Sequence, residues 1–166
     1  GLGVGEAGDT DPDTAARRLR STRSLWDPGY NDESWIDEKM RVIPRIRGWI
    51  DEQHPGLGVS IGEWNFGAEG HMSGGLAVAE ALGRFGEQGV ISAFYWDFPK
   101  NQSPAYWGFR AFRDFDGQGG HFLDESVQAT SDDPRLSIFA SRAGLVYRAG
   151  LGDEKTLAMR ASPVAR

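Results

Sequence analysis

Hydrophobic residues in the middle of the chain recur at helical and strand spacings and predict alternating helices and strands. Residues 40–53 repeat apolar positions every three or four residues, which predicts a helix with Pro44 in its first turn. Residues 57–63 alternate apolar and small positions and predict a strand. Residues 73–86 predict a second helix, and the nearly continuous apolar run 90–98 predicts a parallel strand buried on both faces.

Turn-forming residues divide the rest of the chain. Ser103-Pro104 favours a third helix, because serine caps a helix and proline suits its first position, and this helix is predicted to end near Asp116-Gly117. Residues 135–149 alternate again and contain Arg142-Ala143-Gly144, a hairpin-turn signal. This second half therefore predicts the start of a separate all-β unit.

The first 36 residues have no clear periodicity. Residues 1–16 are rich in Gly and Asp and predict a loop or disordered lead-in. Residues 17–36 contain the turn Asp27-Pro28-Gly29 and predict a long loop that holds Trp26, Tyr30 and Trp35.

Alternating helices and strands predict an α/β fold with a parallel sheet or barrel. A complete eightfold barrel takes roughly 250 residues, so the chain would supply only the last strands and helices of a partial (β/α)8 barrel. We expect three regions: a lead-in over 1–19, the barrel part over 20–120, and a β unit with a tail over 121–166.

Composition excludes several classes of function. The net charge is −6, and no Lys/Arg run is present to follow a nucleic-acid backbone. No apolar run reaches the roughly 20 residues that span a membrane, so we expect neither a nucleic-acid nor a membrane partner. The chain has no Cys, and its three His are scattered, so no metal site and no cofactor is predicted. Six Trp residues are unusual and favour either large core residues or a flat cleft that stacks on sugar rings.

Glu63 is the main candidate for chemistry, since it follows an apolar strand at its carboxyl end. Alternation predicts that it shares a face with Val59 and Ile61, which would be the interior of a barrel. A solvent-facing glutamate at a strand end is the alternative. Four other carboxylates fit less well by context: Asp27, Glu33, Glu69 and Asp97. Asp27 and Glu33 are expected to cap turns or hold loop hydrogen bonds, and Asp97 could line the same rim.

Three blocks of the sequence resemble glycoside hydrolase family 44, which contains endo-β-1,4-glucanases and xyloglucanases. They are RSTRSLWDPGYNDESWI (20–36), SIGEWNFGAEGHMSGGLAVAEALGRFGEQGV (60–90) and FRAFRDFDGQGGHFLDESVQATSDD (109–133). The resemblance covers roughly residues 17–141 and implies the C-terminal part of a catalytic module. It implies a (β/α)8-like barrel, followed here by the start of a β-sandwich domain, and a retaining mechanism with two glutamates.

The resemblance also assigns roles to residues. Glu63 matches the nucleophile, whereas the acid/base glutamate belongs to a part of the family pattern that lies upstream and is not in this chain. The motif departs from the family at Gly62, Trp64 and Phe66, where threonine, tyrosine and tryptophan are usual. The loss of a phenol at position 64 leaves the tuning of Glu63 open.

Substrate-binding candidates surround this motif. Trp96 ends the next strand and matches a family tryptophan of the sugar site, and the loop aromatics Trp35 and Trp26 resemble cleft residues. Other candidates lie in the motif or behind it, each with a plain structural alternative: Trp64, Asn65 and His71. Trp49 and Trp107 lie on helices at core spacing, where packing is the expected role.

The sequence therefore predicts part of a secreted retaining endoglucanase or xyloglucanase that acts on β-glucan chains and is inactive by itself. Two alternatives remain. One is a non-catalytic or degenerate carbohydrate-binding protein that keeps the aromatic cleft, and the other is a retaining barrel glycosidase of another family, such as a xylanase or mannanase.

Overall fold

The structure, a computed structural model, describes residues 1–143 and the backbone of residues 156–161. Its helices are α1 (Pro12–Ser21), α2 (Val42–Gln53), α3 (Met72–Glu87) and α4 (Pro104–Arg110), with a 3₁₀ helix at Thr22–Leu25. Its strands are β1 (Val59–Trp64), β2 (Val90–Tyr95), β3 (Glu125–Val127), β4 (Ser137–Arg142) and β5 (Thr156–Ala161). The α/β class predicted from the sequence is confirmed.

One face of the parallel pair β1–β2 carries the main core. Ile61 and Trp64 of β1 pack with Val78 and Phe85 of α3, and Ala105 of α4 completes the cluster. The Trp64 ring meets Phe85 edge-on, with centroids 5.1 Å apart. Burial of these large apolar groups is the main force that holds the helices to the strands.

A β-bulge at Gly62 changes which residues of β1 face the core. Ile61 pairs with Ala93 and Glu63 with Phe94, so two steps along β1 oppose one step along β2. The extra residue shifts the alternation, and Trp64 rather than Glu63 follows Ile61 into the core. The prediction that Glu63 shares a face with Val59 and Ile61 is therefore wrong.

The opposite side of the pair, which we call the open face, carries Ser60, Glu63, Ser92 and Phe94. The hydroxyls of Ser60 and Ser92 lie 2.7 Å apart across the two strands. Phe94 is 63% exposed, and no described element covers this face. The prediction that the run 90–98 is buried on both faces is thus wrong within the described residues, because helices cover only one side of the sheet.

The lead-in contains a helix that the sequence analysis missed. The Asp11 carboxylate caps α1 by accepting a hydrogen bond from the Thr14 amide at 3.0 Å, and Pro12 occupies the first position. Arg18, a charged residue, occupies the core-facing position and is fully buried. An apolar stripe is therefore missing from this helix. The predicted loop is wrong from Pro12 to Leu25 and is confirmed from Trp26 to Ile36.

The second half forms an antiparallel sheet in the order β3-β4-β5. The predicted third helix ends earlier than expected, at Arg110, because the chain turns and inserts Phe112 against Phe139 of β4. β4 ends at Arg142, where the hairpin turn was predicted, but Gly144 of that turn lies outside the described residues. Among the described residues, no helix is long and apolar enough to cross a membrane.

Candidate active site at the carboxyl ends of the parallel strands

The carboxyl ends of β1 and β2 bring Glu63 and Trp96 to one rim. The Trp96 amide donates a hydrogen bond to the Trp64 carbonyl at 3.0 Å, which extends the parallel ladder by one step. Glu63 is exposed on the open face, and Trp96 is 52% exposed just beyond β2. The peptide bond between Trp96 and Asp97 is cis. Active sites of parallel α/β folds lie at this end of the strands.

Asn65 connects the loop after β1 to three other segments. Its Nδ2 donates to the Trp96 carbonyl and to Glu69 Oε1, the latter at 3.1 Å. Its Oδ1 accepts hydrogen bonds from the amides of Gly5 and Gly67, at 2.9 and 2.6 Å. Asn65 therefore fixes the backbone around Trp96, and it does so with every polar atom of its side chain.

Glu69 is a buried carboxylate behind the rim. The residue is 3% exposed, and its Oε1 accepts a hydrogen bond from the Tyr95 hydroxyl at 2.7 Å. Burial, together with this bond to a carboxylate, raises the pKa of Tyr95 above its usual value. The backbone of Glu69 also bonds to Gly5 and Ala105, so the N-terminal segment and α4 both hold it.

A cavity of about 380 Å³ opens at this rim between the N-terminal segment and the loop after β2. Its lining residues are Val4, Gly5, Glu6, Glu69, Trp96, Asp97, Phe98 and Lys100. The volume falls within the usual range for small-molecule sites. Within residues 1–143 no three His, Asp or Glu side chains gather in a way that could hold a metal ion.

Two other candidates from the motif have structural roles. Trp64 is 9% exposed and packs against Tyr95, with ring centroids 4.8 Å apart. His71 caps α3, since its Nδ1 accepts a hydrogen bond from the Ser73 amide at 3.2 Å. A sugar contact for either residue remains a prediction.

Trp26 does not lie at the rim. The Arg84 guanidinium stacks over its ring at 3.8 Å, and both line a cavity of about 460 Å³ beside α1 and α3. Arg84 lies twelve residues beyond Met72, where α3 begins, or about 18 Å along the helix at 1.5 Å per residue. The structure therefore separates Trp26 from Glu63 and Trp96.

The other tryptophans are exposed. Trp35 is 93% exposed in the loop before α2, as a cleft residue would be, but the structure shows no contact that assigns it to the rim. Trp49 and Trp107 are 59% and 52% exposed, so the expected core packing is wrong for both among the described residues. Helical spacing placed them on an apolar stripe, and no described element covers that side.

The loop carboxylates hold turns, as the sequence favoured. The Arg20 guanidinium donates two hydrogen bonds to the Glu33 carboxylate, at 2.8 and 2.6 Å, and these bonds lower the pKa of Glu33. Burial, followed by the hydrogen bond to Glu33, raises the pKa of the Tyr30 phenol to about 12. Asp27 accepts a hydrogen bond from the Gly29 amide at 2.7 Å and pairs with Arg23.

Two exposed carboxylates near the rim, Glu63 and Asp97, form no hydrogen bond or ion pair among the described residues. Glu69, by contrast, is buried and bonded. An exposed carboxylate beside an indole plane can attack an electrophilic carbon or accept a proton, and it can do so against a ring stacked on Trp96. Sequence reasoning named Glu69 only as a carboxylate that fits less well than Glu63, and it missed Tyr95, because neither residue has a motif of its own.

Comparisons with known proteins find relatives that match most of this chain. No family model matches the chain. Endoglucanase A of Paenibacillus lautus is 37% identical over 142 residues, which are 82% of this chain and 20% of that protein. A bifunctional glucanase-xylanase from a metagenome library superimposes with a TM-score of 0.79 at 41% identity, over 86% of this chain and 28% of the other. A xyloglucanase of Paenibacillus polymyxa from glycoside hydrolase family 44 superimposes with a TM-score of 0.75 at 31% sequence identity, over 86% of this chain and 29% of the other.

These likenesses define the class, since the relatives are glycoside hydrolases that share the fold of this chain. The resemblance to family 44 that the three sequence blocks indicated is confirmed, and the matches are consistent with the C-terminal part of the catalytic module. The chain spans only about a fifth to under a third of the length of these relatives.

Proposed function

We propose that this chain supplies the nucleophile half of a retaining β-1,4-glucanase or xyloglucanase that acts on β-glucan chains. The supporting observation is Glu63, which the Gly62 bulge turns onto the open face beside Trp96 at the carboxyl ends of β1 and β2. Relatives described as an endoglucanase, a glucanase-xylanase and a xyloglucanase support the same class of substrate.

The chemistry needs two carboxyl groups about 5 Å apart on either side of the scissile bond. Ionised Glu63 attacks the anomeric carbon while a protonated partner gives its proton to the leaving oxygen. The C–O bond to the leaving sugar breaks, and an ester forms between the sugar and Glu63. The partner then takes a proton from water, which attacks the anomeric carbon, displaces Glu63 and restores the starting configuration.

The partner carboxyl is proposed to come from polypeptide outside this chain. Within the described residues, Glu69 is buried and bonded to Tyr95, and Asp97 lies in the loop after β2. Neither has Glu63's place at the end of a strand on the open face. A longer polypeptide would also cover the exposed apolar side chains of that face, such as Phe94.

The larger fold is part of the same proposal. We propose that β1 and β2 are neighbouring strands of a (β/α)8 barrel whose interior is the open face, and that the sheet β3-β4-β5 begins a β-sandwich domain. Secretion is proposed as well, because polysaccharides are extracellular substrates.

A chimera tests the proposal without requiring a longer natural sequence. This chain replaces the matching segment of the metagenomic glucanase-xylanase, and the chimera is incubated with an aryl 2-deoxy-2-fluoro-β-cellobioside, which traps glycosyl esters. We expect mass spectrometry to find the added sugar on the peptide that contains Glu63. Labelling elsewhere would remove Glu63 as the nucleophile.

The variant Glu63→Gln, with Glu52→Gln as a matched control, gives the kinetic arm. Glu52 is an exposed glutamate of α2, away from the rim. We expect Glu63→Gln to abolish turnover of xyloglucan while binding to the polysaccharide persists, and Glu52→Gln to leave both unchanged. Turnover by Glu63→Gln at the rate of the control would refute the proposed role.

The non-catalytic alternative is tested with the chain by itself. We expect the 166-residue chain to release no reducing sugar from xyloglucan, because it lacks the second carboxyl. Measurable release would refute that expectation. A chimera that binds xyloglucan but never turns it over, with Glu63 intact, would favour the degenerate binding protein.

A further inference from the structure

We infer that Glu69 is a positioning residue of the rim: its buried carboxylate fixes the Asn65 amide, and through Asn65 it fixes Trp96 beside Glu63. The effect on Asn65 stands on the described geometry alone. Its consequence for catalysis rests on the function proposed above.

The Asn65 side chain has a single orientation that satisfies its surroundings. Its oxygen faces two amide donors, from Gly5 and Gly67, and its nitrogen faces two acceptors, Glu69 Oε1 and the Trp96 carbonyl. Rotating the amide by half a turn would place donors against donors and acceptors against acceptors. All four hydrogen bonds of this amide can therefore form in one orientation only.

Glu69 is the only one of these partners that is a side chain. The other three are main-chain groups, whose positions depend on the loops that Asn65 is supposed to hold. Glu69 is independently anchored, because Tyr95 donates to the same oxygen from β2 and the backbone of Glu69 bonds to Ala105 at the start of α4. The Glu69 carboxylate thus fixes Asn65 relative to β2 and α4.

Asn65 in turn fixes the carbonyl side of Trp96, while the pairing with β1 holds its amide side. The Trp96 carbonyl accepts from Asn65, and the Trp96 amide donates to Trp64, the residue that follows Glu63. Loss of the Asn65 amide would free the carbonyl end and let the indole shift relative to Glu63. Misplacement by about 1 Å at a reacting centre can lower a rate roughly 100-fold.

The burial of Glu69 argues against an accidental contact. A carboxylate that is 3% exposed and has no Arg, Lys or His bonded to it among the described residues is costly to place in a protein. Its two donors, Tyr95 and Asn65, are both neutral. A glutamine would make the same two bonds at lower cost, which gives the test its conservative variant.

The first arm of the test measures Asn65 directly in the 166-residue chain. In an amide-detected NMR spectrum the two Nδ2 protons of Asn65 should give two well-separated signals that exchange slowly with water. We expect Glu69→Leu to collapse these signals and Glu69→Gln to retain them. The control Glu80→Leu, which removes an ion pair with Arg84 far along α3, should retain them as well.

The second arm measures catalysis in the chimera described above. We expect Glu69→Leu to lower kcat roughly 10- to 100-fold with KM changed less than about twofold, and Glu69→Gln to recover most of the loss. A general loss of folding would instead lower the amount of active enzyme and would not be rescued selectively.

Each outcome decides a separate claim. Unchanged Asn65 signals in Glu69→Leu would overturn the positioning role. Equal loss of kcat in Glu69→Gln and Glu69→Leu would overturn it too, because positioning requires only the acceptor oxygen. A chimera that is inactive with every residue intact would count against the proposed function alone, and the NMR arm would still decide the role of Glu69.

Discussion

Replacement of Arg18 by methionine should destabilise the chain more than any single change at its surface. Arg18 is fully buried in α1 and donates hydrogen bonds of 2.8–2.9 Å to Phe66 O, Ser73 Oγ, Leu2 O and Asp9 O. None of these acceptors is a carboxylate, and the nearby carboxylates of Asp9 and Asp11 favour the charged form without bonding to it. Burial lowers the pKa of Arg18, as expected for a cation removed from water.

The magnitude follows from the balance of two large contributions. Hydrogen bonds from a charged donor contribute about 1.5–3 kcal/mol each, so four of them contribute about 6–12 kcal/mol. Desolvation of the guanidinium opposes this by several kcal/mol. We therefore expect Arg18→Met to lower the free energy of unfolding by about 3–5 kcal/mol, a large part of the 5–15 kcal/mol typical of a domain.

The assay is equilibrium unfolding of the 166-residue chain in urea, followed by far-ultraviolet circular dichroism. Arg17→Met is the matched control, because Arg17 is the neighbouring residue of α1 and is partly exposed. Arg18→Lys should fall between the two, since an ammonium cannot reproduce the planar fork that reaches four acceptors. If Arg18→Met and Arg17→Met unfolded within about 1 kcal/mol of each other, the reasoning would be refuted.

Three further predictions concern glycines, a carboxylate and a cap, each measured by urea unfolding. Gly83→Ala should lower the free energy of unfolding by about 1–3 kcal/mol, because the added Cβ would clash with the Phe139 ring. Gly48→Ala should raise it by about 0.5–1 kcal/mol, because no atom lies within 4 Å of the added Cβ. Equal effects of the two variants would contradict this packing. The Arg20 guanidinium lowers the pKa of the Glu33 carboxyl, so the stability contributed by this ion pair is present above about pH 4.3 and is lost as the pH falls further. Glu33→Gln should reduce this acid-dependent loss of stability. An unchanged stability profile against pH in Glu33→Gln would disprove the prediction. Ser103→Ala should cost about 1 kcal/mol by removing the cap of α4, a loss that Ser103→Asp should largely avoid.

The sequence was sufficient where one physical signal dominated. Helices α2 and α3 follow from apolar spacing, and the start of α4 follows from Ser103-Pro104, whose serine accepts a hydrogen bond from the Tyr106 amide at 3.1 Å. The alternation of these helices with two parallel strands then gave the α/β class. Each of these elements is specified by neighbouring residues, which is why the sequence alone predicted them.

The sequence failed where a distant residue decides the local structure. The bulge at Gly62 depends on the pairing of β1 with β2, so alternation within β1 alone put Glu63 on the wrong face. Helix α1 was missed because Arg18, its buried residue, finds its acceptors in segments up to 55 residues away. The prediction that Glu63 lies at the carboxyl end of β1 was unaffected by both errors, and for that reason Glu63 remained the candidate.

Only the exposed residues of the candidate site could be predicted from the sequence, and not the residues that support them. Glu63 and Trp96 follow strands in the sequence, and the structure does place both at the same rim. Glu69 and Tyr95 support that rim through a hydrogen bond of 2.7 Å, yet they are 26 residues apart and no motif links them. Contacts of this kind depend on the packing of β2 against the loop after β1, which the sequence pattern does not encode.

The acceptors around Arg18 have a consequence for how this rim can diversify. Three of the four are main-chain carbonyls, including those of Leu2 and Asp9, and a carbonyl is present whatever the side chain. These contacts to the N-terminal segment therefore do not depend on the side chains at Leu2 and Asp9, whereas Gly3 and Gly8 leave no room for a side chain. Natural drift, or a randomised library at neighbouring positions such as Val4 and Glu6, can remodel the wall of the rim cavity while the arginine keeps the segment in place.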